Sequence, residues 1–489
     1  MKKLIFYFSP LILTIGMLLP ACKQSNQQSG SGPSNNVIDS SGTAFKPANI
    51  KEQIIYQRGI EAAIWGMPAV NYQLMYDALA KINGDYNQVV IWPKLLDWKN
   101  QTLTPNPDVI YLMPFFNTEK VGPVVLEIPP AGDGVFNGSV MTYWQNAIED
   151  VGPGGVDKGK GGKYLFVPPG YDKSKIPAGY IILQSDTYRG YALLRSVLKS
   201  GSAADVATAV NYSKRIKVYP LSEASKNPTT VFVDASNAVY DSTIPYDFNF
   251  YQSLDKIVQL EPWLERDKAM IDPLKSIGIE RGKPFEPDAR TKEILTAAVK
   301  DARTWLIGNY EATKPFFQNT HWFFPATLEY GANVKAGYGV PDSYPTDNRG
   351  VCYMIAFFSA KHIGESQYYL MQIVDKDGNT LDGSASYKVH VPADVPVKQY
   401  WSMTVYNRET HTFIRNVKWS ARSSQTPGLK TNSDGTVDLY FGPTAPSEGE
   451  SNWVPTDPKG KFEILARFYG PTPDLYNQSW KLNDLEKVK

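Results

Sequence analysis

Cysteine is almost missing from this sequence: 489 residues hold two, Cys22 and Cys352. Cys22 closes an export signal described below, which leaves Cys352 without a partner and excludes an intramolecular disulfide even in an oxidising compartment. Stability must therefore come from a packed core. Histidine is nearly as scarce. His321, His362, His390 and His411 form no pair at three- or four-residue spacing and no His-Glu-x-x-His, so no metal site is expected. Neither sign of charge prevails, with 50 Lys and Arg against 49 Asp and Glu, and no field for nucleic acid results. Beyond the leader, no apolar run is long enough to span a bilayer.

Recognisable catalytic motifs are also lacking. No Gly-x-Ser-x-Gly elbow is present, and no Gly-x-Gly-x-x-Gly stands between a strand and a helix, so no cofactor is expected. Residues 152–170, "GPGGVDKGKGGKYLFVPPG", space Gly154, Gly159 and Lys160 as a P-loop would. However, Gly161 and Gly162 follow Lys160 where a Ser or Thr is needed, and a short apolar strand follows where a helix is needed. The stretch is read as a glycine-rich connection between strands. Asp375, Asp377 and Asn379 match the first ligand spacings of a calcium loop, but Thr380 replaces its Gly and Ser386 its bidentate Glu, which leaves a hairpin turn. Ser253-Leu-Asp-Lys256 is a Ser-x-x-Lys without its companion motifs and reads as a solvated helix face. Cys352, inside "VCYMIAFF", reads as a small buried hydrophobe.

What is there begins with "MKKLIFYFSPLILTIGMLLPAC", two Lys, a short apolar stretch and small Ala21 before Cys22. This is the pattern of an export signal over residues 1–21. Its end, Leu-Pro-Ala-Cys, resembles a bacterial lipobox, which implies lipidation of Cys22. Loss of Lys2 and Lys3 with the leader leaves 48 basic against 49 acidic side chains. Residues 22–45 hold almost nothing that could bury surface and read as a solvated tether. The expectation is a lipoprotein of the bacterial cell envelope, on the periplasmic or outer-membrane side.

Residues 47–83 place apolar side chains at helical spacing, with Gly66-Met67-Pro68 read as a break between two helices. Short β-type runs separated by Pro, Gly and Asn follow: "DVIYLMPFF", "PVVLEIPP", "SVMTYW", "KYLFVPPG", "YIILQSD". "TYRGYALLRSVL" and "SAADVATAVNYSKRI" read as helices, and a second helical block runs from about 247 to 310. From about 345 onward "VCYMIAFFSA", "SQYYLMQIVD", "SASYKVHVP", "YWSMTVYN", "VDLYFGP" and "KFEILARFYGP" read as strands of a sandwich. The expected fold is mostly β with helical insertions, an α+β multidomain chain. An antiparallel β N-terminal domain (46–245) is followed by a helical linking block (246–335) and a C-terminal jelly-roll-like β-sandwich (336–489).

"TPNPDVIY", "GPVVLEIPP", "YWQNAIEDVGPGGVDKGKGGKYLFVPPGY" and "LKSIGIERGKPFEPD" resemble the bacterial domain of unknown function twelve fifty-four. "DKDGNTLDGSASYKVHVP", "YWSMTVYN", "NSDGTVDLYFG", "NWVPT" and "FEILARFYGP" resemble its usual C-terminal companion, domain of unknown function twelve fourteen. The resemblance covers nearly all of residues 50–485. It implies a tandem of mostly β domains with helical insertions, with the glycine-rich stretch in a loop between strands, and no settled activity. Thr142 stands where many relatives carry an acid before the Trp-x-Asn motif.

Chemistry-bearing residues remain on two faces. In "YWSMTVY" strand alternation puts Ser402, Thr404 and Tyr406 opposite Trp401, Met403 and Val405. In "FEILARFYGP" it puts Leu465, Arg467 and Tyr469 opposite Phe462, Ile464, Ala466 and Phe468. An Arg among hydroxyls suits a carboxylate, a phosphate or a sugar. Asn106, Asp108 and Tyr111 form the analogous N-terminal group, with Asp108 as the candidate base, and "TPNPDV" around them also reads as a Pro/Asn turn. Three readings follow: a binding protein for a small polar, anionic or glycan-like ligand; a hydrolase or lyase using Asp108 and Arg467; or a structural subunit whose 30 Tyr and 11 Trp serve homo-oligomer contacts. A cleft lined by both domains favours the first two, and a broad flat aromatic face the third.

Overall fold

The computed structural model describes residues 45–356 and 360–488, so the expected leader, the tether and Cys22 lie outside the described residues. The first element is one helix, Ile50–Lys81, opened by the Asn49 side chain accepting from the Glu52 amide at 3.1 Å. The expected break at Gly66-Met67-Pro68 does not occur. Every residue from Ala62 to Gln73 is buried, and packing on all sides holds the helix through Pro68. Helices Asn249–Leu260, Ala289–Glu311 and Thr346–Ile355 pack around it. Gly59 permits the closest approach, since a Cβ there would lie 2.8 Å from that of Ala298. The helical segment expected to link two β domains thus forms a layer with the first helix.

The N-terminal β region is a sandwich. Its six-stranded sheet runs in the order Phe232–Asp234, Val89–Ile91, Val109–Asn117, Arg189–Val197, Phe136–Thr142, Ala147–Val151. A four-stranded sheet of Lys217–Pro220, Val124–Ile128, Gly162–Val167 and Ile181–Gln184 covers one face. Leu112, Phe116, Val140 and Leu194 meet Val124, Leu126, Phe166 and Leu183 between them. One segment corrects the sequence reading, because "TYRGYALLRSVL" is the strand Arg189–Val197, not a helix. All nine of its residues are buried, and a strand covered on both faces shows no alternation by which to recognise it. "SAADVATAVNYS" does form the helix Ala203–Ser213.

The C-terminal region is a second sandwich. One sheet runs Gln367–Gln372, Phe462–Pro471, Val397–Asn407, Ala421–Ser423, and the other Trp453–Pro455, Val437–Gly442, Tyr387–Val391, Glu486–Lys487. Trp401, Met403, Val405, Ile464 and Phe468 meet Val389, Val391, Leu439 and Phe441 in its core, as alternation predicts. The opening "VCYMI" of "VCYMIAFFSA" is the second correction, since it lies in the helix Thr346–Ile355, while residues 357–359 fall outside the described residues. A short apolar run carries no period of its own, and contact with the first helix decides it. Cys352 is fully buried in that helix, and burial pushes its thiol well above the usual range.

Candidate functional site

The outer face of the C-terminal sheet is not open to solvent. Tyr400, Tyr406, Leu465 and Tyr469 share one apolar core with Tyr111, Met113, Tyr191 and Leu193 of the N-terminal sheet. Register places Ser402 and Tyr369 on either side of Arg467. The Arg467 guanidinium is 2% exposed. Its Nη1 donates to Thr404 Oγ1 at 2.7 Å, and its Nη2 to the Thr104 carbonyl at 2.7 Å, the Pro105 carbonyl at 3.3 Å and Tyr406 Oη at 2.5 Å. It also lies over the Tyr369 ring at 5.3 Å.

The loop "TPNPD" is gripped by this sheet. Asn106 Nδ2 donates to Tyr400 Oη at 2.8 Å and Tyr469 Oη at 3.0 Å, and Asn106 Oδ1 accepts from the Asp108 amide at 2.9 Å. Tyr406 Oη donates to the Pro105 carbonyl at 2.6 Å. The turn chemistry of the sequence is therefore real, and it is also an attachment between the two β regions.

Opposite Arg467 stands a second arginine. Arg195 is the cross-strand partner of Tyr111, 7% exposed, with Nε donating to Tyr111 Oη at 3.1 Å. The same phenol oxygen accepts the Asn106 amide at 3.2 Å. Among the described residues, Arg195 Nη1 and Nη2 have no hydrogen-bond partner, and neither Arg195 nor Arg467 has a carboxylate within 4.0 Å. The contrast with Arg189, 3.0 Å from Glu261, and Arg408, 3.5 Å from Glu463, is plain. Both unpaired guanidinium groups line one pocket of about 980 Å³, its open mouth included, together with Tyr111 and Tyr369. The Asp108 carboxylate feels Arg467 at longer range, so Arg195 is the buried cation without a counter-charge, a costly arrangement that needs a function.

Asp108 lies elsewhere. It lines another pocket, of about 770 Å³ with its open mouth included, with Arg422, Ser423 and Gln425, so the structure does not put Asp108 and Arg467 in one cleft. Burial raises its carboxyl to about 6, against the pull of Arg467, of the Ser423 and Ser402 hydroxyls and of Arg422. Burial likewise holds Arg422 down to about 10. Ser402 is buried at 1% exposure and lines neither pocket.

Comparison with protein families finds "Protein of unknown function (DUF1254)" at residues 86–220 and "Protein of unknown function (DUF1214)" at residues 366–473. The chain carries a DUF1254 domain followed by a DUF1214 domain. Among solved structures, the VPA0106 protein from Vibrio parahaemolyticus shares this fold, with a TM-score of 0.57 and 18% identity over 89% of this chain and 100% of that one. An uncharacterised protein from Burkholderia cenocepacia matches at a TM-score of 0.39 and 11% identity over 90% and 96% of the two chains. Comparison with curated proteins returns no match.

The pocket straddles the tandem. The DUF1254 segment supplies Tyr111 and Arg195 to its lining and the DUF1214 segment Tyr369 and Arg467, while Asn106, Thr404, Tyr406 and Tyr469 stand outside the lining and hold the loop and Arg467 in place. Arg195 is the residue that sequence reasoning missed. It sits in the strand misread as a helix, and only a period-2 reading of "RGYALLRSV" would have put it on one face with Tyr191 and Leu193. In the DUF1254 segment the glycine-rich loop joins strands Ala147–Val151 and Gly162–Val167, with Asp157 Oδ1 accepting the Gly152 amide at 2.8 Å and Lys160 exposed. Thr142, at the other end of its hairpin, accepts the Asn146 amide through Oγ1 at 3.3 Å. In the C-terminal region Asp375 Oδ1 accepts the amides of Asp377 at 3.0 Å and Asn379 at 2.9 Å and closes the hairpin turn.

Proposed function

We propose that this protein binds a small organic anion in the pocket between its two β regions, as a lipid-anchored protein of the bacterial cell envelope. One observation carries the reading: Arg195 is buried in the pocket wall beside Arg467 with, among the described residues, no carboxylate within 4.0 Å and no hydrogen-bond partner for Nη1 or Nη2. Arg195 presents the free fork to the ligand. Arg467 spends its bonds on Thr404, Thr104, Pro105 and Tyr406 and contributes charge. This shifts the contact role expected of Arg467 onto a neighbour, while Tyr111 completes the polar end. Tyr406, Tyr469, Asn106 and Thr404 act as the frame. Envelope anchoring rests on the Leu-Pro-Ala-Cys end of the leader. Among the exposed large hydrophobic side chains of the described residues, Trp305 and Tyr476 are the aromatic ones, which favours a binding role over a flat aromatic assembly face. The test is calorimetry of carboxylates and phosphates against neutral analogues of the same shape. Preference for the anions, lost in Arg195→Gln, supports the reading. Equal affinity for neutral analogues overturns it.

A further inference from the structure

Resting on that reading, we infer that the anion is a monocarboxylate with an apolar body, a fatty or aryl-alkanoic acid in chemical class. The head follows from the donors. Tyr111 Oη already accepts from Asn106 N and Arg195 Nε, and its own proton has no acceptor among the described residues. Arg195 Nη1 and Nη2 add the remaining donors, so one fork and one hydroxyl converge on the polar end. Such a set fits the two oxygens and single charge of a carboxylate. A phosphate monoester would bring a third oxygen and a second charge.

The body follows from the period of the strands. In the N-terminal sheet Tyr111 pairs with Arg195, and one same-face step along the two strands are Met113 and Leu193. In the C-terminal sheet Tyr369 pairs with Arg467, and one step along Met371 pairs with Leu465. Both sheets thus present a polar row and then an apolar row, separated by roughly 7 Å, the spacing of alternate residues on a strand. All eight side chains line the same pocket. Phe324 and Ile355 extend its apolar end. A ligand polar throughout would leave this end wet, and an apolar one without charge would leave Arg195 unpaired.

The experiment is calorimetry on the full mature chain with acetate, butanoate, hexanoate, octanoate and 1-octanol. Each added methylene should tighten binding about fourfold until the apolar row is covered. Octanol should bind at least tenfold more weakly than octanoate. Met371→Gln should flatten the chain-length dependence, with melting temperature checking its fold. If acetate and octanoate bind equally and both are lost in Arg195→Gln, the anion reading stands and the apolar-body inference falls. If octanol binds as tightly as octanoate, the anion reading falls and takes the inference with it. Failure of every compound in the series to bind overturns both.

Discussion

Asn106 Nδ2 donates to Tyr469 Oη at 3.0 Å across 363 positions of sequence, and this bond ties the DUF1254 loop to the long strand of DUF1214. The same nitrogen serves Tyr400, and both phenols are fully buried. Asn106→Ala takes away the partner of the buried Tyr400 hydroxyl and leaves that of Tyr469 with Tyr369 Oη alone, at 3.2 Å. Equilibrium denaturation should show a loss of about 2 kcal/mol, the cost of unmade buried hydrogen bonds.

The two pocket arginines should differ sharply in what their substitution costs. Arg467→Ala removes the donors of four buried oxygens and should cost about 3 kcal/mol in denaturant melts. Arg195→Met removes a buried cation that has no counter-charge and loses one bond to Tyr111, so stability should stay within about 1 kcal/mol or rise. A large loss in Arg195→Met would show that its charge is compensated in the native protein.

Asp108 should make the protein less stable as pH rises through weak acidity. Its folded value is about 6, above the ordinary 3.8, because burial penalises the carboxylate. Below about pH 3 both states are protonated. Between about 4 and 6 the unfolded state ionises first, so stability falls with rising pH and then levels off. Asp108→Asn should therefore match the wild type at about pH 3 and exceed it at pH 7, read from denaturation midpoints. An unchanged difference across that range would contradict the assignment.

The glycine-rich loop should prove structural. A Cβ on Gly152 would lie 1.8 Å from the Phe136 carbonyl oxygen, and the residue has φ of 94°. Gly152→Ala should unfold or strongly destabilise the chain, by several kcal/mol. Lys160→Ala, on an exposed side chain, should leave the melting temperature unchanged, and filter binding should detect no ATP affinity to lose. A drop in ATP binding in that variant would reinstate a nucleotide site.

Lipidation of Cys22 is checked by mass spectrometry of the membrane fraction. The expected mature chain begins at a diacylated or triacylated Cys22. A chain that begins elsewhere, with a free thiol at Cys22, would remove the envelope anchor.

The sequence by itself determined which side each residue of the two long C-terminal strands would take. Trp401, Met403 and Val405 against Ser402, Thr404 and Tyr406, and Ile464 and Phe468 against Arg467 and Tyr469, all follow from the period of two, which is a local property of extended backbone. The turns at Asn106 and Asp375 were legible for the same reason, since short polar side chains close loops on their own backbone. Tertiary structure decided what those faces meet. Ala62 to Gln73 stay helical through Pro68 because they are packed on every side, and Arg189–Val197 is a strand because neighbours on both flanks take its backbone hydrogen bonds. Arg195 could not be placed beside Arg467 from sequence, because the closeness of residues 272 positions apart is set by how two sandwiches and a helical layer share one core. A strand buried on both faces carries no periodic mark of its burial, so nothing in the local pattern singled out Arg195 before the opposing sheet was in place.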